Sequence, residues 1–143
     1  MLRHVGSDDL GVGADLVHVP RLAAVMARHP GFASRVYTGA EIAYCQRYRQ
    51  PAPRFAARFA AKEAVLKALG TGLARGIRWR DVEIVPGVNR RPMVVLHGRA
   101  AEVARRLGVR EVQVSLAHEG EYALAWAVTV PLELPGPDAL PDA

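Results

Sequence analysis

The chain has 143 residues, half of them apolar, a formal net charge of +5 and one cysteine, Cys45. That supplies the core of one domain and gives no reason to expect a second. A lone thiol excludes an internal disulfide and argues against a thiolate zinc site, and no apolar run approaches the roughly 18 residues that span a membrane.

The N-terminus, M-L-R-H-V-G-S-D-D-L, lacks the apolar stretch of a signal peptide, so a cytoplasmic protein with no membrane partner is expected. Leu10 to Val19 alternates small and apolar residues as a buried strand does, with Asp15 inside the run. A carboxylate there needs a hydrogen-bonding or metal partner, because burying it unpaired costs several kcal/mol, on the order of 3–5. His18 reads as a strand-face residue. Pro20 opens a helix that Pro30 and Gly31 close, and Arg21 stands in its first turn, where a cation opposes the helix dipole. Arg21 is therefore read as aimed at an acidic partner. Thr38 and Glu41 have capping-box spacing and start a helix reaching about Tyr48.

Pro53 to Gly72, P-R-F-A-A-R-F-A-A-K-E-A-V-L-K-A-L-G-T-G, has the start and stop signals of one long central helix. At about 100° per residue Phe55, Phe59, Leu66 and Leu69 share one side, and Lys62 falls within about 20° of Phe55. Glu63 and Lys67 lie together at one edge of that stripe, while Arg58 and Lys62 cross the other. The bland reading is a Glu63 to Lys67 helix pair worth a few tenths of a kcal/mol, about 0.2–0.5. Against it, a chain with 17 arginines keeps lysine only at 62 and 67. An ammonium is a compact charge for phosphate and can lose its proton, which a guanidinium cannot.

Gly70-Thr71-Gly72 is a loop whose backbone N–H groups could approach a phosphate. Beyond it, Val82 to Val85 and Met93 to Leu96 flank Pro86-Gly87-Val88-Asn89 as a hairpin, and Gly98 to Leu107 is a short helix stopped by Gly108. Glu111 to Leu116 and Tyr122 to Val130 are two further strands, with His118 at a strand end. Trp79 and Trp126 read as core or interface residues. The tail from Pro131 is too rich in proline to pack. This order makes an α+β domain, antiparallel strands packed on helices, rather than a regular βαβ alternation.

Charge is uneven: nine cations and one anion, Glu63, lie between Arg47 and Arg80. Such a field suits phosphates or an acidic protein face. The few aromatics and the absence of any nucleic-acid-binding signature argue against a nucleic-acid partner. Asp15, Glu63, Lys62, Lys67, Arg58 and His118 together form a magnesium and phosphate set: a hard cation takes one or two carboxylates and leaves its other positions to water or phosphate oxygens. That chemistry suits transfer of a phosphorylated group.

The sequence resembles the holo-acyl-carrier-protein synthases, small 4'-phosphopantetheinyl transferases. Four segments carry the resemblance: G-V-G-A-D-L-V-H-V-P-R-L (11 to 22), R-F-A-A-K-E-A-V-L-K-A-L-G-T-G (58 to 72), W-R-D-V-E-I (79 to 84) and V-S-L-A-H (114 to 118). It implies the 4'-phosphopantetheinyl transferase fold over residues 11 to 130, with residues 1 to 10 an extension and 131 to 143 a mobile tail. It also implies transfer of 4'-phosphopantetheine from coenzyme A to a serine of an apo acyl carrier protein, leaving adenosine 3',5'-bisphosphate. Asp15 and Glu63 would bind magnesium. Arg58, Lys62, Lys67 and Gly70, Thr71 and Gly72 would face phosphates and nucleotide. Lys67 or a metal-bound water would take the serine proton, His118 would touch the nucleotide or order the metal's surroundings, and Arg21 would meet the carrier. A homotrimer with shared active sites is implied as well. The family's usual serine at 117 is alanine here, and its frequent aspartate at 119 is Glu119, which puts a contact to His118 in doubt.

Overall fold

The computed structural model describes residues 10–132. The remainder of the extension and the tail from residue 133 lie outside the described residues. In chain order the elements are β1 (Val12–His18), α1 (Val19–Arg28), α2 (Phe32–Val36), α3 (Gly39–Gln46), α4 (Ala52–Leu69), β2 (Val82–Pro86), β3 (Pro92–Leu96), α5 (Gly98–Arg106), β4 (Val109–Glu119) and β5 (Tyr122–Pro131). Short 3-10 turns cover Trp79–Asp81 and Val88–Arg90. One antiparallel sheet has the order β1-β5-β4; β2 and β3 form a separate hairpin.

The expected α+β order holds, with local differences that have local causes. Helix α1 begins at Val19 because His18 caps it, its Nδ1 accepting from the Arg21 N–H at 3.3 Å. The Thr38–Glu41 capping box forms in both directions, but α3 ends at Gln46. The one-and-a-half-turn α2 has no side-chain cap and was not expected. Strand β4 runs on through Glu119, so His118 lies within the strand. Pro131 still pairs with Val109, so the first residue assigned to the tail belongs to the sheet, and the Leu132 N–H beyond it reaches Gly108 O at 2.9 Å.

Helix α4 is the centre of the core. It is buried nearly all round, and its half-buried or open line is Phe59, Glu63 and Lys67, an i, i+4, i+8 row. It can sink against the sheet because the residues beneath it are small: Ala123, Ala125 and Ala127 of β5 are fully buried. The facing residues are Gly11, just before β1, and Gly13 within it, and a Cβ on Gly13 would stand 2.0 Å from Ala64 O. The opposite face of the sheet is apolar yet open, with Val12 and Leu16 of β1 and Tyr122 and Trp126 of β5 each about half exposed or more.

Candidate active site

Two clusters of charged side chains flank α4. On the β1 side, the glycine contact draws the strand against the helix, and the next inward-facing residue, Asp15, lies beside the turn that carries Glu63 and Lys67. Lys67 Nζ donates to Asp15 Oδ1 at 3.1 Å and to Ala14 O at 3.0 Å. Among the described residues Glu63 has no hydrogen-bond partner, so the helix pair anticipated between Glu63 and Lys67 is replaced by a pair between Lys67 and Asp15. Burial raises the Glu63 pKa above the ordinary carboxylate range, the Asp15 charge adds to the rise, and Lys67 opposes it. Two carboxylates close enough to repel, tempered by one ammonium, are a donor set that fits a hard divalent cation. No third His, Cys, Asp or Glu joins them among the described residues.

On the other flank a cleft of about 430 Å³ is lined by Tyr44, Tyr48, Arg54, Arg58, Arg90 and His118 among others. Its lining holds no carboxylate among the described residues. The Arg58 guanidinium sits 3.8 Å from the centre of the Tyr44 ring, Arg54 sits 4.0 Å from that of Tyr48, and the two tyrosine hydroxyls are 3.0 Å apart. Cation–π attraction holds both guanidiniums over the rings. The bond to Tyr48 lowers the Tyr44 pKa. Arg58 is only 6% exposed and its buried Nε has no partner. A cationic cleft with an unsatisfied buried donor is built for an anion.

The two clusters do not meet within one chain. Arg58 and Glu63 are five residues apart and so point about 140° apart around α4. Asp15 and His118 both face the helix, but from the two outer strands of the sheet: Asp15 pairs with Ala125, and His118 with Ala123. Two strand spacings and a two-residue offset separate their backbones by about 12 Å, with α4 packed over the strand between.

Two expected phosphate contacts are corrected by the structure. Lys62 faces no cleft: its ammonium is fully buried and donates to Glu41 Oε1 at 2.8 Å, to Val82 O and to Trp79 O. Burial lowers its pKa, with Glu41 opposing. The N–H groups of Gly70, Thr71 and Gly72 are also unavailable, since all three turn back onto the last carbonyls of α4, at Leu66 and Lys67. Gly70, at φ 74°, supplies the left-handed residue that such a helix end requires. What the loop retains toward a ligand is the Thr71 hydroxyl, buried and without a partner. Arg21 is exposed in the first turn of α1, just beyond the strand that carries Asp15.

The sequence reading gives no site role to Tyr44, Tyr48, Arg54 or Glu41. A signal existed for the first three: two tyrosines four apart where α3 runs out and two arginines four apart on α4 offer matched ring and guanidinium pairs. For Glu41 the capping box was the only sign, and it hid the second role.

The model of the 4'-phosphopantetheinyl transferase superfamily matches residues 11–127. The holo-[acyl-carrier-protein] synthase of Moorella thermoacetica is 50% identical over 119 residues, 83% of this chain and 92% of that protein. That of Koribacter versatilis is 49% identical over 117 residues, 81% and 94% of the two chains. Among solved structures, the Neisseria meningitidis holo-[acyl-carrier-protein] synthase superposes with a TM-score of 0.77 at 28% identity, covering 84% of this chain and 97% of that one. The Helicobacter pylori enzyme, in complex with coenzyme A, gives 0.73 at 25% identity over 83% and 99%. With residues 11–127 inside the family model and relatives about half identical over four-fifths of its length, the chain belongs to the holo-acyl-carrier-protein synthases of the 4'-phosphopantetheinyl transferase superfamily.

Proposed function

We propose that this chain transfers 4'-phosphopantetheine from coenzyme A to a serine hydroxyl of an apo acyl carrier protein, with magnesium bound by Asp15 and Glu63. The observation that carries this reading is the pairing of a carboxylate–lysine cluster with a carboxylate-free arginine cleft on opposite flanks of one helix. Magnesium supplies charge neutralisation on the pyrophosphate when bound. The chain's own groups do the rest. Arg58, Arg54 and His118 hold the phosphate-bearing nucleotide. Lys67 already donates to Asp15 and Ala14, which leaves one ammonium hydrogen for a phosphate oxygen, so it acts as a donor rather than a base. The serine oxygen bonds to the phosphorus that carries pantetheine as the bond to the bridging oxygen breaks, and adenosine 3',5'-bisphosphate leaves. The serine proton would pass to a water held at the Asp15–Glu63 flank, since a carboxylate engaged by a divalent cation is a poor base. Arg21, at the same end of β1, meets the acidic face of the carrier and brings its serine to this flank.

Because one chain separates the two clusters, the working unit is a homotrimer in which one subunit's Asp15–Glu63–Lys67 flank faces its neighbour's Arg58–His118 cleft. The half-exposed Val12, Leu16, Tyr122 and Trp126 support this, as an apolar sheet face of that kind is an assembly surface. The activity is tested by mass spectrometry of several apo carriers incubated with coenzyme A and magnesium. Addition of the phosphopantetheine mass, lost when the metal is chelated, is expected; no addition to any carrier refutes the reading.

Sharing of the site has its own test. Glu63→Gln and His118→Ala, each nearly inactive, are unfolded together and refolded as a mixture. Activity should return to roughly a quarter of the wild-type rate, because each contact has about one chance in four of receiving both intact halves. A mixture no more active than its parents would place the whole site in one chain.

A further inference from the structure

The lysine withdrawn from the phosphates is the point at which α4 is fastened. Lys62 uses all three ammonium hydrogens, on Glu41 Oε1 in α3, on Trp79 O in the 3-10 turn and on Val82 O in β2. Glu41 is equally committed: Oε1 also accepts from the Thr38 N–H at 2.9 Å, and Oε2 from the Ile84 N–H at 3.0 Å. Behind it Thr38 Oγ1 donates to Glu83 Oε2 at 2.6 Å, and Glu83 Oε1 lies 3.1 Å from His97 Nε2. Every hydrogen bond from the Lys62–Glu41 pair to a third group is to backbone, at Thr38, Trp79, Val82 and Ile84.

On the far side of α4 the contact with β1 is made by Gly11 and Gly13 against the helix backbone at Ala64 and Ala68. Such a contact sets how closely the helix approaches, and hydrogen bonds of fixed direction set how the helix is turned. An apolar pair at 62 and 41 would fill the same volume without desolvating two charges, so what the ion pair adds is direction, since hydrogen bonds are angular and apolar contacts are not. We infer that the buried Lys62–Glu41 pair is a positioning device that fixes the rotation of α4 about its own axis, and with it the aim of Glu63 and Lys67 at Asp15. A turn of about 10° moves a side-chain head about 6 Å from the axis by about 1 Å, and a misplacement of that size can cost about a hundredfold in rate. The inference rests on the metal-dependent reading given above.

The test compares the full chain with Lys62→Met/Glu41→Leu and with Lys62→Met alone, which leaves Glu41 its two backbone donors. Mn2+ serves as the probe metal, with free ion counted by electron paramagnetic resonance in the presence of coenzyme A. Both variants should fold, bind Mn2+ about tenfold more weakly and lose about a hundredfold in kcat. KM for coenzyme A should rise as well, because Arg54 and Arg58 of the nucleotide cleft sit on the same helix and turn with it. A folded variant with wild-type Mn2+ affinity and kcat overturns the inference, and so does a failure of both variants to fold, which would make the pair a matter of stability alone. If the wild-type chain binds no Mn2+, the metal reading itself fails and takes this inference with it. Wild-type binding alongside unaltered variants refutes only the positioning role.

Discussion

Glu63→Gln is expected to lower the rate of carrier modification by about a thousandfold, roughly 4 kcal/mol of barrier, while the fold persists. The amide keeps the shape of the side chain and removes the charge that a hard cation needs. Stability should move the other way. Because the Glu63 pKa is raised in the folded chain by burial and by Asp15, the ionised form is held less well in the folded state than in the unfolded one. Above the raised value the folded state therefore carries a penalty, and that penalty disappears as pH falls through the raised value toward the ordinary one near 4.5. In metal-free buffer at neutral pH, Glu63→Gln should melt at or above the wild-type temperature, and the two curves should converge as the pH approaches the ordinary value. Thermal melts across pH check this, and an active Glu63→Gln enzyme would refute the metal assignment.

The second large effect is expected at a residue that has no side chain. Gly13→Ala should destabilise the fold by about 3 kcal/mol and lower its melting temperature by about 10 °C. The new Cβ would lie 2.0 Å from Ala64 O and 2.7 Å from Ala68 N, and both are helix backbone that cannot swing aside. The strand must then retreat from α4 and carry Asp15 away from Lys67, so the surviving folded fraction should also be poorly active. A variant with wild-type melting and turnover would show that β1 and α4 are not in the tight contact described here.

Local signals in the chain were readable wherever the cause was local. Pro53 stands in the first turn of α4, one residue inside its start at Ala52, and Gly70 ends it; Thr38 and Glu41 cap α3, and the β2–β3 hairpin was recognisable from its turn residues, because each depends on neighbours a few positions away. The convergence of Asp15 with Glu63 and Lys67 was anticipated from residue chemistry and from family resemblance. Neither could say that Lys67 would bond to Asp15 rather than to Glu63.

What eluded the sequence were the questions of what covers each face. Helical periodicity gives the angle at which Lys62 leaves α4, and that angle alone suits a phosphate contact as well as a core anchor; the arrival of α3 and β2 made it an anchor. Likewise Arg58 and His118 looked like members of one set with Glu63 until the strand order β1-β5-β4 placed β4 and β1 on opposite sides of the helix. The N–H groups of Gly70 to Gly72 looked free until the helix end claimed them. Backbone preference acts over a few residues and is written in order along the chain, whereas burial and charge pairing depend on segments that are far apart in sequence and meet only when the core closes.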